Sequence, residues 1–377
     1  MRYVHCLNKI SPVGLKELPE DYKISDSLQE NVDAILVRSA AMHEMELPKS
    51  VKCVARAGAG VNNIPLDRFA KEGVVVFNTP GANANAVKEL VIAMMLLACR
   101  DLRGSMEWVK ANKEDPEINK SMEKAKAAYA GTEIMGKTLG VIGCGAIGAL
   151  VADAASKLGM KVLAVEPSQA VRERNAELLK EAKFVDNDEL YRNSDFITIH
   201  VPLMDATRGM LNKDAFSKMK DGVIIINAAR DALVNDDDLK EALESGKVRK
   251  YVTDFPNYKT ANMDGVVAIS HLGASTEEAE DNCAAMAAHQ IKRFLECGNI
   301  ENSVNYPNLS LGKRTGKRVT VLFENNDAVL PELMKRIKST NMVNGVKGSF
   351  GALIADITEE PVGLEEVPGV IKVLLSK

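Results

Sequence analysis

Residues Thr138–Gly148 read T-L-G-V-I-G-C-G-A-I-G and constrain the fold more than any other stretch of this 377-residue chain. An apolar run enters the glycines Gly143, Gly145 and Gly148, and a helical pattern, Ala146–Leu158, leaves them. A strand that turns on glycine into a helix is half of a βαβ unit. The first glycine permits the tight turn, the second lets the backbone approach a pyrophosphate, and the third brings helix and strand together. Free N–H groups and the positive end of the helix would then face the phosphates. A second strand, Lys161–Val165, ends at Glu166. A carboxylate there can accept both adenosine ribose hydroxyls and would repel a 2′-phosphate, so the expected dinucleotide is NAD rather than NADP. The plainer alternative is a glycine turn in an ordinary βαβ unit. Strand, helix and acid together weigh against it.

Around this unit, short β-rich runs alternate with helical patterns. They include Tyr3–Leu7, Ala34–Val37, Cys53–Ala55, Val74–Phe77, Phe196–Val201, Gly222–Ile226, Tyr251–Thr253 and Val266–Ser270. Several are continuous Val/Ile strings, the pattern of strands buried on both faces of a parallel sheet. The fold class is therefore α/β and doubly wound. Two long helical segments, about 85–110 and Glu277–Cys297, interrupt the alternation and mark boundaries. Residues Leu309–Arg318 are polar, basic and glycine-containing, which predicts a linker. The last sixty or so residues read as a small α+β module, with strands at Val319–Phe323, Gly345–Phe350, Ala352–Thr358 and Val370–Leu375 and a helix at Ala328–Ser339.

The apolar fraction of 46% and charged fraction of 27% are those of a globular chain, not a disordered one. The longest apolar run, Leu90–Cys99, is about half of a membrane span, and MRYVHCLNKIS has no secretory apolar core. Six scattered cysteines without CxxC or Cys/His clustering predict reduced thiols, no metal site and a cytoplasmic protein. A net charge of −4 argues against a nucleic-acid partner.

Two further stretches end apolar strands, where open α/β sheets bind ligands. Ile226-Asn227-Ala228-Ala229-Arg230 places a guanidinium just past a buried strand, able to hold a carboxylate bidentately. A domain-edge salt bridge is the alternative. Ala268-Ile269-Ser270-His271-Leu272-Gly273 offers His271 as a general base near neutral pH, or else a structural histidine. Earlier in the chain, Arg38-Ser39 and Arg56-Ala57-Gly58 each follow a short strand, and two arginines with free glycine amides suit a phosphate or second carboxylate. Solvated surface arginines are the competing reading.

Taken together, the motifs resemble the D-isomer-specific 2-hydroxyacid dehydrogenases, and within them the phosphoglycerate branch. The likeness is carried by Val37-Arg38-Ser39-Ala40, Ala55–Asn63, Phe77-Asn78-Thr79-Pro80-Gly81, Gly136–Gly140 running into the glycine loop, His200-Val201-Pro202-Leu203 with Thr207-Arg208-Gly209, Asn227–Arg230 and His271–Thr276. It covers about residues 1–305, in the family's order. The resemblance implies a flavodoxin-like substrate domain (1–96 and 284–308), a Rossmann NAD domain (97–283), the linker 309–318 and a tail, 319–377, similar to an ACT regulatory domain. It implies NAD-dependent oxidation of D-3-phosphoglycerate to 3-phosphohydroxypyruvate, the first step of serine biosynthesis. Arg230 would bind the carboxylate and His271 would exchange the hydroxyl proton. Gly143, Gly145, Ala146, Ile147, Gly148, Glu166, His200, Val201, Pro202, Thr207, Ala228, Arg230 and Asp254 would line the NAD site. Arg38, Ser39, Arg56, Ala57 and Gly58 would hold the substrate's phosphate end. A homodimer or tetramer is implied as well.

The chain departs from the family at Thr253-Asp254-Phe255-Pro256-Asn257-Tyr258-Lys259, which lacks the glutamate that usually orients the histidine. Asp264 is a distant substitute. Asp231 and Ser270 replace the usual glycine and proline. In the tail, only about eleven residues separate the last two strands, with Pro361, Gly363 and Pro368 among them, so a second helix is nearly absent. Two other functions stay open: a hydroxypyruvate or glyoxylate reductase, and an NAD-sensing scaffold with little turnover.

Overall fold

The computed structural model describes residues 1–25, 27–28 and 31–376. The chain divides into two compact units, residues 1–83 with 277–377 and residues 84–276.

The first unit carries a five-stranded sheet, β1 (Arg2–Cys6), β2 (Tyr22–Ser25), β3 (Ala34–Val37), β4 (Cys53–Arg56) and β5 (Val75–Phe77). Its order is β2-β1-β3-β4-β5 and every pairing is parallel. This is the flavodoxin-like winding. Ala34 and Leu36 enter one core, Ile35 and Val37 the other, so the sheet is buried on both faces. The helix Glu277–Cys297 has the bounds read from the sequence and covers one face with Cys283, Ala287, Ile291 and Phe294.

The second unit is built on seven parallel strands: β6 (Thr138–Ile142), β7 (Lys161–Val165), β8 (Ala182–Phe184), β9 (Phe196–Ile199), β10 (Val223–Asn227), β11 (Val248–Thr253) and β12 (Val266–Ala268). Their order, β12-β11-β10-β9-β6-β7-β8, reverses direction between β6 and β9. That reversal is the switch point at which such sheets bind dinucleotides. Along β10, Ile224 and Ile226 pack on one side, Val223 and Ile225 on the other. Burying each of the isoleucines stabilises by about 1.5–3 kcal/mol. The helical pattern over 85–110 is in fact two helices, Ala84–Cys99 and Leu102–Ala111. The break falls where the Asp101 carboxylate accepts from the Gly104 N–H and caps the second helix. Arg249 and Lys250 precede the stretch of β11 that pairs with β12, and Arg249 is exposed, as the start of a half-covered strand.

The tail forms a four-stranded antiparallel sheet: β13 (Lys317–Glu324), β14 (Ser339–Lys347), β15 (Phe350–Ile357) and β16 (Val370–Ser376), in the order β14-β15-β13-β16. A helix, Val329–Arg336, covers one face through Val329 and Leu333. No helix lies between β15 and β16 among the described residues. The sheet's other face, Leu322, Phe350, Ala352 and Ile354, joins the core of the first unit with Val4, Phe77 and Tyr306.

Two expectations change here. The units part at 83/84 and 276/277, not at 96/97 and 283/284, and the tail belongs to the first unit. Residues 309–318 are not a free linker. Leu309 bridges Ile300, and Asn299 holds Gly312 and Leu311. The Arg318 guanidinium, 1% exposed, pairs with Asp356 and donates to the carbonyls of Cys297 and Gly312. A buried guanidinium is tolerated only with such partners, and they tie the stretch to the body.

Candidate active site

The glycine loop between β6 and the helix Ala146–Lys157 meets each demand of the motif. Gly143 has φ +88°, and a Cβ there would lie 2.7 Å from the His200 carbonyl oxygen. On Gly148 a Cβ would lie 1.9 Å from the Gly143 carbonyl oxygen. On Gly145 it would meet nothing within 4 Å, which leaves the approach to the helix start open. No side chain caps that helix, so the first-turn amides of Ala146, Ile147 and Gly148 face outward for an anion. Glu166 follows β7 and is buried. Its two carboxylate oxygens accept from the N–H groups of Cys144 and Ser168, at 3.0 and 2.9 Å. Each oxygen keeps a lone pair for a ribose hydroxyl. These features fit a dinucleotide.

His200 follows β9 and its amide donates to the Ile142 carbonyl. Nε2 lies 2.9 Å from the Thr198 hydroxyl, while Nδ1 is shut off from water with no partner. Burial pushes this imidazole down to about 4, so it is neutral near pH 7. His200 and Val201 therefore back the glycine turn by shape, since a Cβ on Gly143 would also meet Val201 at 2.8 Å. The Thr207 hydroxyl donates to the Pro202 carbonyl and accepts from the Met204 amide, closing the loop after β9.

Asn227 ends β10 with a fully buried side chain. Its Oδ1 accepts from the amides of Ala229 and Arg230; its Nδ2 donates to the Arg230 carbonyl at 2.7 Å and to the Tyr251 hydroxyl at 3.0 Å. This clamp sets the Ala228–Arg230 turn. The Arg230 guanidinium donates to the Ala229 carbonyl and lies over the Phe255 ring, 5.2 Å from its centroid. Asp254, just past β11, is 1% exposed. Its Oδ2 accepts from the Gly273 amide, and its buried Oδ1 has no partner. Burial raises this carboxyl, against the opposing pull of His271, the Gly273 N–H and Arg230. An orphaned buried acceptor is what a carboxamide N–H₂ would satisfy.

His271 is exposed, past β12, with its ring 4.3 Å from that of Phe255 and tilted 44°. Among the described residues no carboxylate forms an ion pair with it. Asp264 lies before β12 and His271 after it, at opposite ends of the strand, so Asp264 does not replace the missing glutamate.

In the first unit, Asn8 Oδ1 accepts from the successive amides of Arg38, Ser39 and Ala40 at 3.0–3.1 Å. Arg56 donates through Nε to the Arg38 carbonyl. Arg56 is also folded over Gly58, where a Cβ would fall 1.9 Å from its Nη1. Arg38 itself pairs with Glu280 at 2.7 Å. The structure thus joins the Arg56 guanidinium to the Arg38 main chain and sets a carboxylate against the Arg38 side chain. Asn8, Glu280, Asn227 and Phe255 were not singled out from the sequence as site residues. Only Asn227, adjacent to the arginine motif, had a local signal.

Known proteins bear on this site directly. Residues 92–273 match the model of the D-isomer specific 2-hydroxyacid dehydrogenase NAD-binding domain. A hydroxypyruvate reductase of Thermotoga maritima is 38% identical over 71% of this chain and 85% of its own length. D-3-phosphoglycerate dehydrogenases of Archaeoglobus fulgidus and Bacillus subtilis are 36% and 32% identical, over 78% and 94% of this chain. The chain spans only 53% and 64% of those two relatives. Among solved structures, a glyoxylate reductase from Paecilomyes thermophila has a TM-score of 0.66 and 26% identity, covering 80% of this chain and 98% of that one. An NAD+-bound 3-phosphoglycerate dehydrogenase of Entamoeba histolytica has a TM-score of 0.62 at 25% identity, covering 82% and 99%. No described helix is long and apolar enough to cross a membrane. The chain belongs to the D-isomer specific 2-hydroxyacid dehydrogenase family and is an NAD-dependent dehydrogenase acting on small 2-hydroxy acids.

Proposed function

We propose that the chain oxidises D-3-phosphoglycerate to 3-phosphohydroxypyruvate. The observation that carries the choice of substrate is the joined pair Arg38 and Arg56, two cations in adjacent loops. A substrate with a phosphate as well as a carboxylate needs such a second anion site, while glyoxylate does not. Arg230 holds the carboxylate through its guanidinium and polarises the adjacent carbon–oxygen bond. His271 takes the hydroxyl proton in oxidation and returns it in reduction. Asp254 Oδ1 would accept from the carboxamide, and the amides of Ala146, Ile147 and Gly148 would hold the pyrophosphate. Bound there, the nicotinamide supplies the hydride acceptor.

A second reading, hydroxypyruvate reductase, is favoured by one specific feature. Glu280 already neutralises Arg38. The Thermotoga relative, covered over most of its length, agrees with that reading. We further propose a cytoplasmic homo-oligomer. Its support is the helices Leu102–Ala111 and Ile118–Ala125, which bury no residue and leave Leu102, Met106, Val109 and Met122 exposed.

NADH absorbance decides between the substrates, with phosphohydroxypyruvate, hydroxypyruvate and glyoxylate compared near neutral pH. A preference of tenfold or more in kcat/KM for phosphohydroxypyruvate supports the first reading. Equal or greater turnover of hydroxypyruvate defeats it. No turnover with NADH still bound points to a sensing scaffold.

A further inference from the structure

His271 lacks the carboxylate that normally fixes such an imidazole, yet its ring is not unsupported. Phe255 lies against it, with centroids 4.3 Å apart and planes at 44°. The same phenyl ring carries the Arg230 guanidinium at 5.2 Å. One aromatic side chain therefore touches both groups that the proposed reaction uses. Phe255 is itself anchored. Its amide donates to the Thr253 hydroxyl at 3.0 Å, and that hydroxyl donates to the Asn227 carbonyl at 2.9 Å. Asn227 in turn clamps the Arg230 turn. Backbone and ring thus bind the ends of β10 and β11 and the loop after β12 into one frame.

We infer that Phe255 is a positioning residue, holding the His271 imidazole and the Arg230 guanidinium in register through one aromatic ring in place of a carboxylate. An aromatic face attracts a cation and orients a flat ring without neutralising either. A carboxylate would do the orienting but would also compete with the substrate for Arg230. The inference rests on the reading of Arg230 and His271 as the working pair.

The test compares Phe255→Leu, Phe255→Met and Phe255→Tyr in the full chain. The first two keep apolar bulk and remove the aromatic face, while tyrosine keeps it. We expect leucine and methionine each to lower kcat with the best of the three oxo acids by tenfold or more. KM for NADH stays within twofold, and tyrosine restores kcat to within about threefold. Binding of oxamate, an isostere of a 2-oxo acid, to the NADH complex is read by fluorescence. It should weaken at least fivefold in the leucine and methionine variants and recover in tyrosine. If the wild type turns over an oxo acid and both apolar variants match its kcat within twofold, the inference is overturned and the functional reading stands. If the wild type turns over none of the acids, the functional reading falls. Oxamate then decides the inference alone: unchanged affinity overturns it, and weakening with recovery in tyrosine supports it.

Discussion

Two asparagines brace two arginine loops, and they do so differently. Asn8 offers only its carbonyl oxygen to the three amides of Arg38–Ala40, and it is half-buried. Asn227 uses both ends of its amide, accepting twice and donating twice, with its side chain fully buried. The arginines differ in parallel. Arg38 is tied to a half-exposed glutamate that another anion could displace, whereas Arg230 lies on a phenyl ring and a carbonyl. The second arrangement is fixed before any substrate arrives. The first is held by an exchangeable partner. Preorganisation is therefore concentrated in the NAD unit, at the groups proposed for chemistry, and relaxed at the proposed anion site.

The largest effect should come from Arg230→Ala. Losing a buried charge-assisted contact removes about 2–5 kcal/mol of transition-state stabilisation, roughly 30- to several-thousand-fold in kcat/KM. Unaltered turnover would break the comparison at its stronger end. His200 tests the same unit through pH. An unfolded histidine binds its proton below about 6.5, while native His200 stays neutral down to about 4. Between those values the unfolded state holds more protons, so stability rises with pH. It is complete above about 6.5 and is lost as pH falls toward 4. The loss is at most about 3 kcal/mol. Thermal melting from pH 4 to 8 should show this slope in the wild type and not in His200→Gln.

The two braces can be set side by side. Asn227→Ala strands the amides of Ala229 and Arg230, the Arg230 carbonyl and the Tyr251 hydroxyl, and should destabilise by about 3 kcal/mol. Asn8→Ala exposes its amides to water that can replace the lost acceptor, so about 1 kcal/mol is expected from urea unfolding. Equal losses would contradict the contrast. The smallest effect has an informative sign. Glu280→Gln frees Arg38 from an exposed ion pair worth less than about 1 kcal/mol. KM for phosphohydroxypyruvate should fall up to about fivefold, and KM for glyoxylate should not change. A rise in the former would remove Arg38 from the phosphate site.

Much of this was legible in the sequence, for identifiable reasons. The Val/Ile string of β10 reads as a doubly buried strand, and Gly143 and Gly148 are forced by backbone approaches that no Cβ survives. The acid after β7 and the arginine after β10 stand beside these signals. What escaped lacks local signal. β2 exposes two of its four residues, and β8 is three residues with a lysine at its centre, so neither carries an apolar run. Glu280 reaches Arg38, and Asn8 reaches the Arg38 loop, across a fold that no spacing encodes. Three of the tail's strands, β13, β15 and β16, are readable from their apolar content, whereas β14 (Ser339–Lys347) buries no residue, and the sequence instead suggests a helix up to Ser339 and a strand at Gly345–Phe350. The tail's attachment was not legible, because Arg318 looks like part of a basic, polar run until Asp356 and the carbonyls of Cys297 and Gly312 surround it.

The division of the chain has a temporal side. The unit of residues 84–276 is one uninterrupted stretch, and its seven strands can assemble as soon as they leave the ribosome. The other unit is written in two pieces, and its core mixes Val4 and Leu36 from the start of the chain with Ile354 and Leu374 near its end. During synthesis the face of those first strands that meets Ile354 and Leu374 stays incompletely covered until that later stretch has been made, while the face of Ile35 and Val37 is closed mainly by residues 32–76.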